Sequence, residues 1–277
     1  MKLIKLFLVM LLCGQASLVS AQGHNVDELI VKSGIQRQVE QLPDVMKAQF
    51  EDSFRQDRTM SAADRYNLRT AASESFDPAE MLKTVKERMA GTFTDQDISE
   101  ILTWLNSPLG MRITELEEKA SSASAYREMV EFAQNMTEPQ PQRLALVQRL
   151  DAVAELTNYA TQIKIDMALA MTQAMACVSG CDNFSRDEMV GKLESVRSQI
   201  QEGSRQEVLV NSLYSYQSLA DEELEEYVRF YETTAGQKYM KVVKPALSQS
   251  IQNASKMMGE KLGAALKEKK AMAEPKQ

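Results

Sequence analysis

Past residue 21, apolar positions recur every three or four residues, and no stretch alternates cleanly between apolar and polar. That period matches the 3.6-residue helical turn, so the pattern predicts an all-α fold. The two clearest stripes have the i, i+3, i+4, i+7 form: Ile98, Ile101, Leu102 and Leu105, then Leu224, Tyr227, Val228 and Tyr231. Asp95 and Asp221 stand where these helices begin. There a carboxylate can accept backbone N–H bonds and oppose the positive end of the helix dipole. Gly110 and Gly236 fall in the first turn of the helix that follows each stripe, and a missing side chain lets two helices approach closely at the bend.

Start and stop signals divide the rest. Asp77-Pro78-Ala79-Glu80 combines an N-cap, a first-turn proline and an acid, and Ser107-Pro108 ends a helix over 96–106 and opens the next at 108. Ser185 with Glu188, and Ser204 with Glu207, fit capping boxes. Two prolines in Thr137-Glu138-Pro139-Gln140-Pro141 stop any helix from running through, which places a domain boundary there.

The halves on either side align without a gap at an offset of 126 residues. Phe93 to Ile113 lies over Leu219 to Tyr239, with identity at Asp95/Asp221, Glu100/Glu226 and Gly110/Gly236. The apolar class is kept at 98/224, 101/227, 102/228, 104/230 and 105/231, and positive charge at Arg112/Lys238. A weaker match sets Gln36 to Val39 over Gln162 to Ile165. The expected organisation is two similar multi-helix modules from an internal duplication, at 22–138 and 139–266, followed by a flexible basic tail at 267–277.

The run from Leu219 to Tyr239, with its Leu-x-Asp-Glu-Glu-Leu start, Phe230-Tyr231 pair and Ala235-Gly236-Gln237-Lys238, resembles the helical family named domain of unknown function 2059. The likeness is close over about 219–250 and looser over about 93–124, where Trp104-Leu105 replaces the aromatic pair. It implies an exported protein of Gram-negative bacteria and brings no catalytic residue with it.

Residues 1–21 agree with that setting. Lys2 and Lys5 precede the apolar run Leu6 to Cys13, and Val19-Ser20-Ala21 offers small residues before a cut ahead of Gln22. This is the order of a secretory signal, and the apolar run is about half of the roughly 20 residues a membrane span needs. Leu12 is too bulky to precede a lipidated Cys13. Cleavage after Ala21 predicts a periplasmic protein without a transmembrane segment. Removing Lys2 and Lys5 takes the net charge from -7 to -9, a field that repels nucleic acid and anionic lipid.

Catalytic chemistry finds little material. The single histidine, His24, stands near the mature N-terminus, and the chain lacks a Gly-x-Ser-x-Gly elbow, a Ser-x-x-Lys pair, a phosphate loop and a dinucleotide fingerprint. The acids Asp221, Glu222, Glu223, Glu225 and Glu226 spread over more than one helix face and read as capping and solvated surface, not as a metal site. Cys177 and Cys181, left after export, are spaced C-x3-C and predict a structural disulfide that closes a tight loop. The residues point to a protein that is not an enzyme and has no cofactor, a scaffold or interaction module for an envelope protein. The other expectation is a carrier or chaperone-like binder of an apolar ligand or peptide. Its candidate surface is Met167, Met171 and Met175, one flexible helix face, with the aromatic residues Tyr227, Phe230 and Tyr231. Core packing accounts for both sets as well.

Overall fold

A computed structural model describes residues 26–56, 61–178 and 185–273. The predicted signal with its cleavage point, His24 and Cys181 lie outside these residues. Among them the chain is all-α, with thirteen helices and no strand. The helices are α1 (26–32), α2 (Ile35–Gln56), α3 (Ala62–Ser75), α4 (Pro78–Met89), α5 (Asp95–Leu105), α6 (Pro108–Ala120) and α7 (Ala123–Asn135). After the proline-rich break come α8 (Pro141–Ala154), α9 (Leu156–Val178), α10 (Arg186–Ser195), α11 (Arg197–Ser215), α12 (Asp221–Glu232) and α13 (Thr234–Ala273). No helix among the described residues is long and apolar enough to cross a membrane.

Local signals set most of these boundaries. Asp77 Oδ1 accepts the backbone N–H groups of Ala79 and Glu80 at 2.8 and 3.4 Å, with Pro78 in the first turn of α4. Ser107 caps α6 ahead of Pro108 through its bond from Gly110 N, and Ser185 caps α10 through Glu188 N. Ser204 is a correction. It lies fully buried inside α11, because the chain breaks earlier, at Val196, where neither glycine nor proline marks the change. Asp95 and Asp221 are a second correction. They are the first residues of α5 and α12, but the carboxylates that take backbone N–H groups are Asp97, from Thr94 at 2.8 Å, and Glu223, from Ala220 at 2.8 Å.

The 40-residue α13 is the spine of the molecule, about 60 Å long at 1.5 Å per residue. It runs parallel to α9, with Lys244 on Glu155, Gln252 on Asp166 and Gly259 against the backbone of Met171. It runs antiparallel to α3, where Lys261 meets Glu74 and Lys269 meets Asp64. One apolar core takes side chains from both sides of the 137–141 break, including Val85, Ile101, Val147, Leu224, Val228 and Ala246. Each is almost fully removed from water, and burial of this kind is worth roughly 1.5–3 kcal/mol per large aliphatic side chain.

Candidate partner-binding site

The helical hairpins α5–α6 and α12–α13 are built alike at their bends. Ser107 Oγ accepts the N–H of Gly110 at 3.0 Å, and Thr233 Oγ1, 126 residues on, accepts that of Gly236 at 3.1 Å. A Cβ on Gly110 would stand 2.1 Å from the Trp104 carbonyl oxygen, and one on Gly236 would stand 2.2 Å from that of Phe230. Both glycines therefore stand at the same close approach of the incoming helix.

The two hairpins also meet each other reciprocally. Arg112 pairs with Glu223 at 2.5 Å, and Lys238 pairs with Asp97 at 3.3 Å. Adding the offset of 126 to Arg112 gives Lys238, and adding it to Asp97 gives Glu223, so each hairpin offers its cation to the other's capping acid. Between these pairs the corresponding aromatic residues stack: Trp104 lies on Phe230 with centroids 4.8 Å apart and planes within 8°. This is the self-complementary logic of a two-fold dimer interface, here within one chain.

Along this seam runs an open groove of about 550 Å³. Trp104 and Phe230 line it beside Glu100 and Glu226, the acids one turn before each ring, and Ser107, Thr233 and Thr234 lie at the helix starts. A second open groove, about 650 Å³, lies between α7, the 136–140 connection, α8 and α11. Its walls include Phe132, Met136, Leu213 and Tyr214. Arg143 borders it with Nε on Asp221 at 2.8 Å and Nη2 donating to the Leu219 carbonyl at 2.5 Å, while Nη1 is buried without a partner among the described residues.

Residues 79–139 and 214–263 match the family described as "Uncharacterized protein conserved in bacteria (DUF2059)". The chain resembles DUF2059 in these two segments. Shifted by 126 residues, the first segment contains the second. No curated protein and no solved structure matches the chain.

Between the two DUF2059 segments lies a polar cluster that the sequence pattern did not single out. Glu117 on α6 accepts hydrogen bonds at one oxygen, Oε1, from Tyr216 and Tyr227, both at 2.6 Å. Because Tyr227 has given its only proton to Glu117, Tyr231 is the donor in the 2.9 Å contact between the two tyrosine hydroxyls. Burial pushes the Glu117 carboxyl above the usual carboxylate range, against the opposing effect of the two tyrosine bonds. Burial, together with the nearby Glu117 charge, also raises Tyr216, Tyr227 and Tyr231 well above the ordinary tyrosine value. One signal was present in the sequence: Glu117 continues the apolar stripe of Ile113 and Leu116, and the matching residue of the second DUF2059 segment is Val243, which is buried.

The aromatic residues named from the sequence thus divide in two. Tyr227 and Tyr231 belong to the core, the first with its hydroxyl on Glu117 and the second with its hydroxyl on that of Tyr227, while Phe230 forms the groove floor with Trp104. Met167 and Met171 are partly buried and pack against the core, and Met175 is half-buried on the same helix. Three of the five acids of the α12 cluster are tied up in ion pairs, Asp221 with Arg143, Glu223 with Arg112, and Glu225 at longer range with Arg149 and Arg229, while Glu222 and Glu226 have no ion pair among the described residues.

Proposed function

We propose that this chain is an exported, non-enzymatic periplasmic protein whose duplicated helical modules form an interaction platform for another component of the bacterial envelope. The observation that carries the reading is the reciprocal union of the two hairpins, which fixes a groove shared by both copies. Two charge pairs and a stacked aromatic pair hold its walls, so the surface is preorganised, and a partner binds without first ordering it. Export rests on the signal-like residues 1–21, and an oxidising compartment would join Cys177 to Cys181. Native mass spectrometry of the protein taken from periplasm tests the reading, with a stoichiometric protein complex as the expected result. Turnover of a substrate by the purified protein, lost on changing a defined residue cluster, overturns it.

A carrier of an apolar ligand is the second reading. The groove beside Arg143 favours it, since apolar walls and one unpartnered buried donor suit a ligand with an apolar body and one acceptor. A lipid or other small amphiphile in the same mass spectra, with no protein bound, selects this reading over the platform.

A further inference from the structure

We propose that the groove over Trp104 and Phe230 receives a basic segment of the partner protein and holds an arginine or lysine side chain of that segment between Glu100 and Glu226. The inference rests on the platform reading and names the chemistry of the partner.

Charge is the first argument. Cations of α6, α8, α12 and α13 are already engaged: Arg149 grips Glu232 through two bonds of 2.8 and 2.7 Å, Arg229 leans on Glu225 at 4.0 Å, and Lys238 and Arg112 close the seam itself. Glu100 accepts only a neutral amide, that of Gln96 at 2.9 Å, and Glu226 has no cation among the described residues. Two exposed carboxylates, equivalent under the offset of 126, therefore border one apolar floor without counter-charges.

The floor supplies the second argument. Trp104 and Phe230 stack face to face, so the floor offers the flank of the ring pair to the aliphatic stem of an arginine or lysine while the carboxylates take its charged head. Glu100 and Trp104 are four residues apart on α5, as Glu226 and Phe230 are on α12, so each acid stands on the same helix face as its ring. A hard divalent ion would need six or more oxygen ligands, which this floor does not offer. The groove is open to solvent and Thr234 adds a hydroxyl-bearing residue to its lining, so a segment of a partner chain can reach it. The acidic net charge of -7 draws a basic partner toward the whole molecule.

Trp104 is the one tryptophan of the chain, so its emission reports this groove alone. The test titrates the full exported chain with a blocked pentapeptide that carries two arginines, and with the same peptide carrying citrulline in their place. The arginine peptide should change Trp104 emission saturably at one equivalent, and affinity should fall as salt rises from about 20 to about 200 mM. The double variant Glu100→Gln, Glu226→Gln should bind about tenfold more weakly, and each single variant should fall between. Both acids are exposed, and unchanged circular dichroism confirms that the variants fold. Equal binding of the citrulline peptide, unchanged affinity of the double variant, or no emission change up to about 1 mM peptide overturns the proposal. Spermidine binding more tightly than the peptide also overturns it, because the occupant is then a free polyamine. A periplasmic protein complex that survives the double substitution refutes this groove and leaves the platform reading standing. Absence of any protein complex with the unaltered chain refutes the platform.

Discussion

Replacing Gly236 with alanine puts the bend of the second hairpin under direct strain. The new methyl carbon would stand 2.2 Å from the Phe230 carbonyl oxygen, 2.8 Å from Tyr231 Cα and 2.9 Å from the Phe230 carbonyl carbon. All three are backbone atoms, so no side-chain rotation relieves the overlap, and α12 must move by about 1 Å relative to α13 to restore ordinary contact. Overpacking of this kind costs about 3 kcal/mol, at the upper end of the usual range. Alanine regains about 1 kcal/mol through its better helix propensity. The net loss is about 2 kcal/mol, which for a chain of this size lowers Tm by about 4–8 °C. Gly110→Ala should behave in the same way, because its Cβ would stand 2.1 Å from the Trp104 carbonyl oxygen. Gly203→Ala is the control: it lies inside α11 with nothing within 4 Å of the new carbon, so only the helix gain of about 1 kcal/mol remains and Tm should rise. Thermal unfolding followed by circular dichroism measures all three. A Gly236→Ala variant that melts at or above the unaltered chain refutes the claim that close backbone approach shapes the hairpin.

Three further outcomes follow from the same contacts. Glu117→Gln keeps the oxygen that both tyrosines donate to and removes a carboxyl whose folded pKa is raised by burial. Its contribution to stability is complete below the ordinary carboxylate pKa and is lost as pH rises through the raised value. The Gln variant should therefore gain in Tm relative to the unaltered chain between acidic and neutral pH, and a pH-independent difference would contradict the assignment. Asp97→Ala removes the bond from Thr94 N and the pairing with Lys238, and should cost about 1 kcal/mol in denaturant unfolding. The Asp97 carboxyl is held below its usual range, first by that backbone bond. Its share of stability is thus lost as pH falls through the lowered value, and the Ala variant should lack that part of the acid decline. Thiol counting on the denatured, non-reduced exported chain should find Cys177 and Cys181 oxidised, with a stabilisation toward the low end of about 0–5 kcal/mol for so short a loop; two free thiols would refute the disulfide.

What could be read from the sequence was local or periodic. The stripe of Ile98, Ile101, Leu102 and Leu105, the Asp77-Pro78 and Ser107-Pro108 starts, and the two bend glycines all act within one or two turns, and all stand as expected. The cap of α5 was misplaced by one residue because Thr94 and Asp95 are both good cap formers, and α12 offered only Ala220 before its acids. Ser204 has the spacing of a capping box, yet the buried packing of α11 overrides that local preference. Pro245 lies inside α13 without ending it, since contacts with α9, α3 and α4 hold the helix on both sides. The seam was the hardest part to see. Arg112 and Glu223 are 111 residues apart, and nothing in either local stretch says that the two hairpins face each other rather than two separate cores. The offset of 126 contained the information in part: once one charge pair is known, it generates the other.

The union of the two hairpins is tested most directly by proton NMR of chain labelled selectively at tryptophan and phenylalanine. Because Trp104 is the one tryptophan, its indole resonances are unambiguous. The stacked geometry, with centroids 4.8 Å apart, predicts strong nuclear Overhauser contacts between the Trp104 indole and the Phe230 ring. Indole contacts confined to the α5–α6 hairpin, with none to Phe230, would contradict it.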